Sequence, residues 1–185
     1  MAILDESNHY VNPETVSILP TGNRWGLILG AAGVIMGLLF FLFGIIDYTG
    51  TKSNLFPNLI QWGVTAGVFY MAIKAHRDED LGGLISLGRC VKLGAYMGLI
   101  GGVLTAIYMF VHIKYLQPDF ANIAIEAAVN SAEAKGQDPD KVRDSLEMMR
   151  GLFSPTYMMA IGFFGSMISS LFVALIVGFF MRKER

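Results

Sequence analysis

Apolar residues along this chain fall into four long blocks separated by polar segments. The first block runs from Trp25 to about Ile46, and as a helix it would span roughly 33 Å, enough to cross a bilayer. The second runs from Leu55 to about Ile73, with Pro57 in its first turn, where a missing N–H costs least. The third spans about Val91 to Ile113 and the fourth about Thr156 to Met181. The pattern predicts an all-α membrane protein, a bundle of four transmembrane helices. Residues 114–153, the one large segment between blocks, contain two amphipathic patterns. Phe120, Ile123, Ala124 and Ala127 share one side of a helix that starts at Pro118 and ends before Gly136. Asp138-Pro139 then gives an N-cap followed by proline at the first helical position. Val142, Leu146, Met149 and Phe153 form a stripe after it. An amphipathic helical hairpin is therefore expected between spans three and four.

Small residues recur within the blocks at helical spacing. Gly26, Gly30, Gly33, Gly37 and Gly44 lie along one side of the first helix, and Gly94, Gly98, Gly101, Gly102 and Thr105 along one side of the third. Gly63, Ala66 and Gly67 offer a small face on the second. Gly162 and Ser166 begin one on the fourth. In lipid, where apolar burial drives little association, such seams let helix backbones approach. The first and third seams are expected to pack on each other.

The remaining segments are polar. Residues 1–24 read as a loosely ordered tail, in which His9 and Tyr10 have no evident partner, and Tyr48-Thr49-Gly50 as a short turn. Lys74 to Asp80 reads as a solvated loop, broken by Gly82-Gly83. Ser86, Arg89 and Lys92 are three apart. They fit a short interfacial helix over 84–92 with its bases toward headgroups, and equally an early start of the third span.

Composition agrees with the pattern. Counted with glycine instead of tyrosine, the apolar share of the 185 residues is roughly 62%, against 45–50% in ordinary soluble domains. A net charge of −1 gives no footprint for nucleic acid. The side holding both chain ends carries eight Lys and Arg. The other carries Lys52 and the five bases of 114–153, which seven acids offset. The asymmetry places both termini in the cytoplasm and the hairpin outside.

Chemistry is sparse. No ionisable side chain other than tyrosine falls near the middle of a span, which argues against ion-coupled transport. His9, His76 and His112 sit on separate segments, with His76 on the membrane face opposite His112, so no shared metal site is expected. His112 with Lys114 and Asp119 is the nearest approach to a polar cluster and reads as an interfacial anchor, with a ligand site as the alternative. Cys90, the single cysteine, reads as a packing residue. Gln61 and Thr65 either hydrogen-bond across helices or to their own backbone, or line a polar seam. No nucleophile elbow, phosphate loop, dinucleotide fingerprint or zincin helix is present. No catalytic residue, metal ligand or cofactor is expected.

The segment Gly83-Leu-Ile-Ser-Leu-Gly-Arg-Cys-Val-Lys-Leu-Gly94 resembles the signature of the bacterial membrane family known as domain of unknown function 4199. Ile107-Tyr108 and Tyr115-Leu-Gln-Pro118 are similar to that family's exit from the same span, and Ser154-Pro155 fits as well. Leu87 and Cys90 depart mildly, standing where members often carry an aromatic residue and alanine. The resemblance implies a four-span inner-membrane protein and no reaction. The expected role is a non-enzymatic accessory or assembly component. Its partners would be the bilayer, a protein bound through loop 114–153, and further copies of itself through a spare seam. The alternative is a small transporter or channel component, with Gln61, Thr65, Thr105 and Tyr108 facing a common interior.

Overall fold

A computed structural model of the protein describes residues 15–47 and 54–183. The turn expected at Tyr48-Thr49-Gly50, like His9 and Tyr10, lies outside them. The described residues form six α-helices: α1 (Leu19–Leu42), α2 (Leu55–Ala75), α3 (Leu87–Val111), α4 (Phe120–Ala134), α5 (Pro139–Met148) and α6 (Pro155–Met181). π-type turns extend α2 through His76–Asp80 and α3 through His112–Leu116. Helices α1, α3 with its following turn, and α6 are each long and apolar enough to cross a membrane. Helix α2 is 21 residues long, but Asn58, Gln61, Thr65 and Lys74 dilute its apolar character.

The four long helices pack as a ring. Helix α3 runs along α6 on one side and α1 on the other, and α2 closes the ring against both flanking helices. Helices α2 and α3 stand across a diagonal and touch little. Around the ring, Ile35, Leu59, Phe164, Ile168 and Phe180 expose more than half of their surface, an apolar coat that lipid would cover.

Helix α1 begins six residues before Trp25, so the tail reading fails for residues 19–24. Pro20 occupies the first turn and Ser17 Oγ accepts from Leu19 N–H at 3.1 Å. The helix also stops earlier than expected, at Leu42. Gly44, at φ +59°, ends it with hydrogen bonds from Ile45 N–H to Phe40 O and from Gly44 N–H to Phe41 O. This glycine is a helix stop rather than part of a seam. The expected caps of the later helices form: Asp138 accepts from Asp140 and Lys141, and Ser154 from Tyr157. Residues 84–92 do not make a separate helix. Ser86 Oγ caps α3 itself by accepting from Arg89 N–H at 3.3 Å, and α3 runs unbroken from Leu87.

Helices α4 and α5 fold on each other, joined across their surface by Arg143 and Glu126 at 2.5 and 3.0 Å. The face α4 buries is Ile125, Val129 and Ala132. The expected stripe at Phe120, Ile123, Ala124 and Ala127 lies beside that face and is only half-buried.

Candidate functional site

The ring has two unlike halves. The half nearest the α2–α3 connection is solid. Phe69, Ile73, Leu93, Met97 and Ala174 are fully buried there and fill the axis. Beyond that plug a polar node ties all four helices together. His76 is wholly buried at the end of α2. Its Nδ1 lies 2.7 Å from Asp80 Oδ2, and its Nε2 accepts from Arg89 Nε–H at 3.0 Å. Because Arg89 can only donate, the ring proton sits on Nδ1 and points at the carboxylate. Thr21 of α1 donates to the same Asp80 oxygen at 2.7 Å, and Arg89 also donates to the Val16 carbonyl. Arg77 donates to Met181 O at the C-terminus of α6, while Ile85 and Lys183 exchange two backbone hydrogen bonds of 3.0 Å.

This node overturns two expectations. Lys74–Asp80 is not a loop: it continues α2 into the π-type turn before the break at Gly82 (φ +64°) and Gly83 (φ +94°), and it buries His76 while Lys74, Asp78 and Glu79 stay exposed. Nor does Arg89 face headgroups. It turns inward to His76, while Ser86 and Lys92 stay exposed. Burial drives the His76 pKa below its ordinary value, outweighing the opposing pull of Asp80. Burial pushes the Asp80 carboxyl up, but hydrogen bonds from Thr21 and His76, with the charge of nearby Arg89, hold it below the ordinary value.

The other half of the ring is hollow. A cavity of about 330 Å³ lies between the four helices, with walls of Leu29, Gly30 and Gly33 from α1, Gln61, Trp62 and Thr65 from α2, Gly101, Thr105, Tyr108 and Met109 from α3, and Ser166, Ser169 and Ser170 from α6. It exists because α2 and α3 stand apart on the diagonal and small residues face them. Thr65 Oγ1 donates to Gln61 O at 2.8 Å and Thr105 Oγ1 to Gly101 O at 3.0 Å. Tyr108 Oη lies 3.0 Å from His112 Nδ1, and His112 Nε2 lies 3.3 Å from Gln117 Oε1. The carboxamide oxygen can only accept, so the Tyr108 hydroxyl gives its proton to His112. His112 is buried against the edge of Phe41, with ring centres 4.8 Å apart. It is not the exposed anchor its neighbours suggested. Lys114 lies instead over the rings of Phe110 and Tyr115.

The small residues fall on both sides of α3. A Cβ on Gly26 would meet Ile100 at 2.9 Å, and one on Gly30 would meet Leu104 at 2.6 Å and Gly101 Cα at 3.0 Å. Gly37 lies under the Tyr108 ring. Gly94, Gly98 and Gly102, by contrast, lie against Ala174, Ser170 and Phe163 of α6, and Gly162 against Met109. The α3 glycines thus divide between two neighbours instead of forming one seam toward α1. Gly33 and Ser166 line the cavity, and a Cβ on Gly33 would meet nothing within 4 Å. Gly63 and Gly67 likewise have open space beside them. Two further close approaches have no signal in the glycine spacing: Gly22 lies under Tyr96, and a Cβ on Gly178 would meet Cys90 Cβ at 2.7 Å.

The sequence pattern of a protein family of unknown function, DUF4199, matches residues 24–183. The chain belongs to the DUF4199 family. No curated protein and no solved structure matches it. The match covers the ring of this DUF4199 chain apart from the first five residues of α1, and the whole α4–α5 hairpin. It assigns no residue a role, so the geometry alone distinguishes the hollow half from the solid one.

Proposed function

We propose that this is a bacterial inner-membrane protein of four spans that holds a small solute between its helices, as a small transporter or channel component and without enzymatic activity. Helix α2 supplies the fourth span. Its 21 residues reach roughly 31 Å, it is flanked by two apolar helices, and Leu55, Phe56 and Leu59 expose 60–70% of their surface on its outer side. Both termini and the polar node lie in the cytoplasm, and the α4–α5 hairpin outside, following the Lys and Arg asymmetry. Reporter fusions to the C-terminus and within Gln137–Asp138 test this; the first active only in the cytoplasm and the second only outside is the expected result.

The observation that carries the solute reading is the cavity itself. Gln61, Thr65, Thr105 and Tyr108, on two helices that barely touch, line one space. Its volume lies at the lower end of small-molecule sites. Purified protein in proteoliposomes should speed the uptake of one or more members of a panel of small solutes, and Gly33→Leu, which fills the space, should slow it. Uptake equal to that of empty vesicles for every solute would remove the transport reading. A second reading, an accessory or assembly component acting through loop 114–153, is favoured by Met148 and Met149. They stand 88% and 51% exposed at the end of α5. Deletion of that hairpin with loss of a partner enriched from native membranes is its expected signature.

A further inference from the structure

We infer that the cavity takes a small uncharged solute bearing hydroxyl or amide N–H donors. This rests on the reading of the cavity as a solute site and adds the class of solute.

Charge is decided by the walls. None of the thirteen lining residues is Asp, Glu, Lys, Arg or His. The one imidazole attached to the wall, His112, stands behind Tyr108 and receives its proton. An ion entering this space would leave water without meeting an opposite charge, at membrane depth, where that exchange is most costly. A neutral solute loses only hydrogen bonds, which hydroxyls and a carboxamide can replace.

The donor requirement follows from where the wall's own protons go. Three of its hydroxyls have already committed theirs: Thr65 to Gln61 O, Thr105 to Gly101 O and Tyr108 to His112. Thr65 and Thr105, having donated to their own backbone, keep acceptor lone pairs. Among the described residues the Gln61 carboxamide makes no side-chain hydrogen bond, and it offers both an acceptor and donors. Ser166, Ser169 and Ser170 add three hydroxyls, each with one proton and two lone pairs, so acceptor sites outnumber donors along the wall, and a solute that supplies N–H or O–H groups matches it. Trp62, Leu29 and Met109 provide apolar surface for the remainder. The plug of Phe69, Leu93 and Met97 closes the cavity's end toward the polar node. A solute therefore enters from the end nearer the α4–α5 hairpin or between helices.

Four thiol reagents of similar size test this on the full chain in nanodiscs. Cys90 is replaced by alanine, and Ser169→Cys places one thiol in the cavity wall. The 2-hydroxyethyl, n-propyl, 2-sulfonatoethyl and 2-(trimethylammonio)ethyl methanethiosulfonates each form a mixed disulfide as the cysteine thiolate displaces methanesulfinate. Rates are divided by those with a free thiol in water. The hydroxyethyl reagent should react about tenfold faster than either charged one, a ratio corresponding to about 1.4 kcal/mol, and faster than the propyl reagent of the same length. A charged reagent reacting as fast as the hydroxyethyl one overturns the neutral class, and a propyl reagent as fast or faster overturns the donor requirement. If no reagent reaches Ser169→Cys, nor Ser166→Cys as a second site, while both react after denaturation, the cavity is closed to solutes and the reading beneath this one falls too. Ile168→Cys, 67% exposed on the outer face of the same helix, gives the rate of a thiol in lipid.

Discussion

His76 is neutral in this fold because both ring nitrogens are committed. Nε2 must accept from Arg89, and only Nδ1 is left to carry the proton toward Asp80. A second proton would set an N–H against the guanidinium in a fully buried position. The sign of the pH effect follows. The folded pKa lies below the ordinary 6.5, so the unfolded chain binds more protons as pH falls through that value, and stability is lost from there downward. The melting temperature in detergent should therefore be level above pH 7 and drop progressively below about 6.5. His76→Gln should flatten this slope; an unchanged slope would place its origin elsewhere. Glycines give a second comparison. A side chain on Gly98 meets Ser170 Cβ at 2.6 Å, whereas one on Gly33 enters open space. Gly98→Leu should cost about 1–3 kcal/mol or more and Gly33→Leu clearly less, as differential melting would read. Sequence spacing treats both glycines alike, because it fixes the side of a helix but not the neighbour that side meets.

At the level of elements, legibility follows how local the cause is. Asp138-Pro139 and Ser154-Pro155 mark helix starts that form where expected, because a cap and its partner N–H lie within three residues. The apolar blocks of α1, α3 and α6 are plain for the same reason. The KAHRDED run has the composition of a solvated loop, and nothing local in it marks His76 for burial. The partners that hold His76 and Asp80 are Arg89, thirteen residues on from His76, and Thr21, in a segment with the composition of a tail. Of the cavity, the four polar residues were legible as candidates, but the space between them was not. It arises from the spacing of α2 and α3, which no local pattern encodes. Helix α4 shows a smaller error of the same kind. Its buried line is Ile125, Val129 and Ala132, since α5 packs on that side. Ile125→Ala should cost the hairpin about 2–5 kcal/mol. Because the hairpin packs mainly on itself, hydrogen exchange should quicken over 120–148 while α1 and α3 keep their protection. Loss of protection throughout the chain would show that the hairpin and the bundle fold as one unit.

The whole molecule is a bundle of unequal ends. Packing is dense from Phe69 to Ile73 along α2 and sparse from Gln61 to Thr65 on the same helix. Local stability should divide likewise. Amides of 68–73 should exchange far more slowly than those of 61–65, and equal protection would contradict the division.

The Ile85–Lys183 pairing, with the His76 cluster beneath it, has a mechanical consequence. It fastens all four helices at one end, whereas at the other end the described contacts join α3 to its neighbours separately, Phe41 of α1 against His112 and Gly162 of α6 against Met109. Such a body bends about its fastened end. Over the 25 residues of α3, a tilt of roughly five degrees about that fulcrum would carry the far end sideways by about 3 Å, the width of a water molecule. The same rotation would move the fastened end hardly at all.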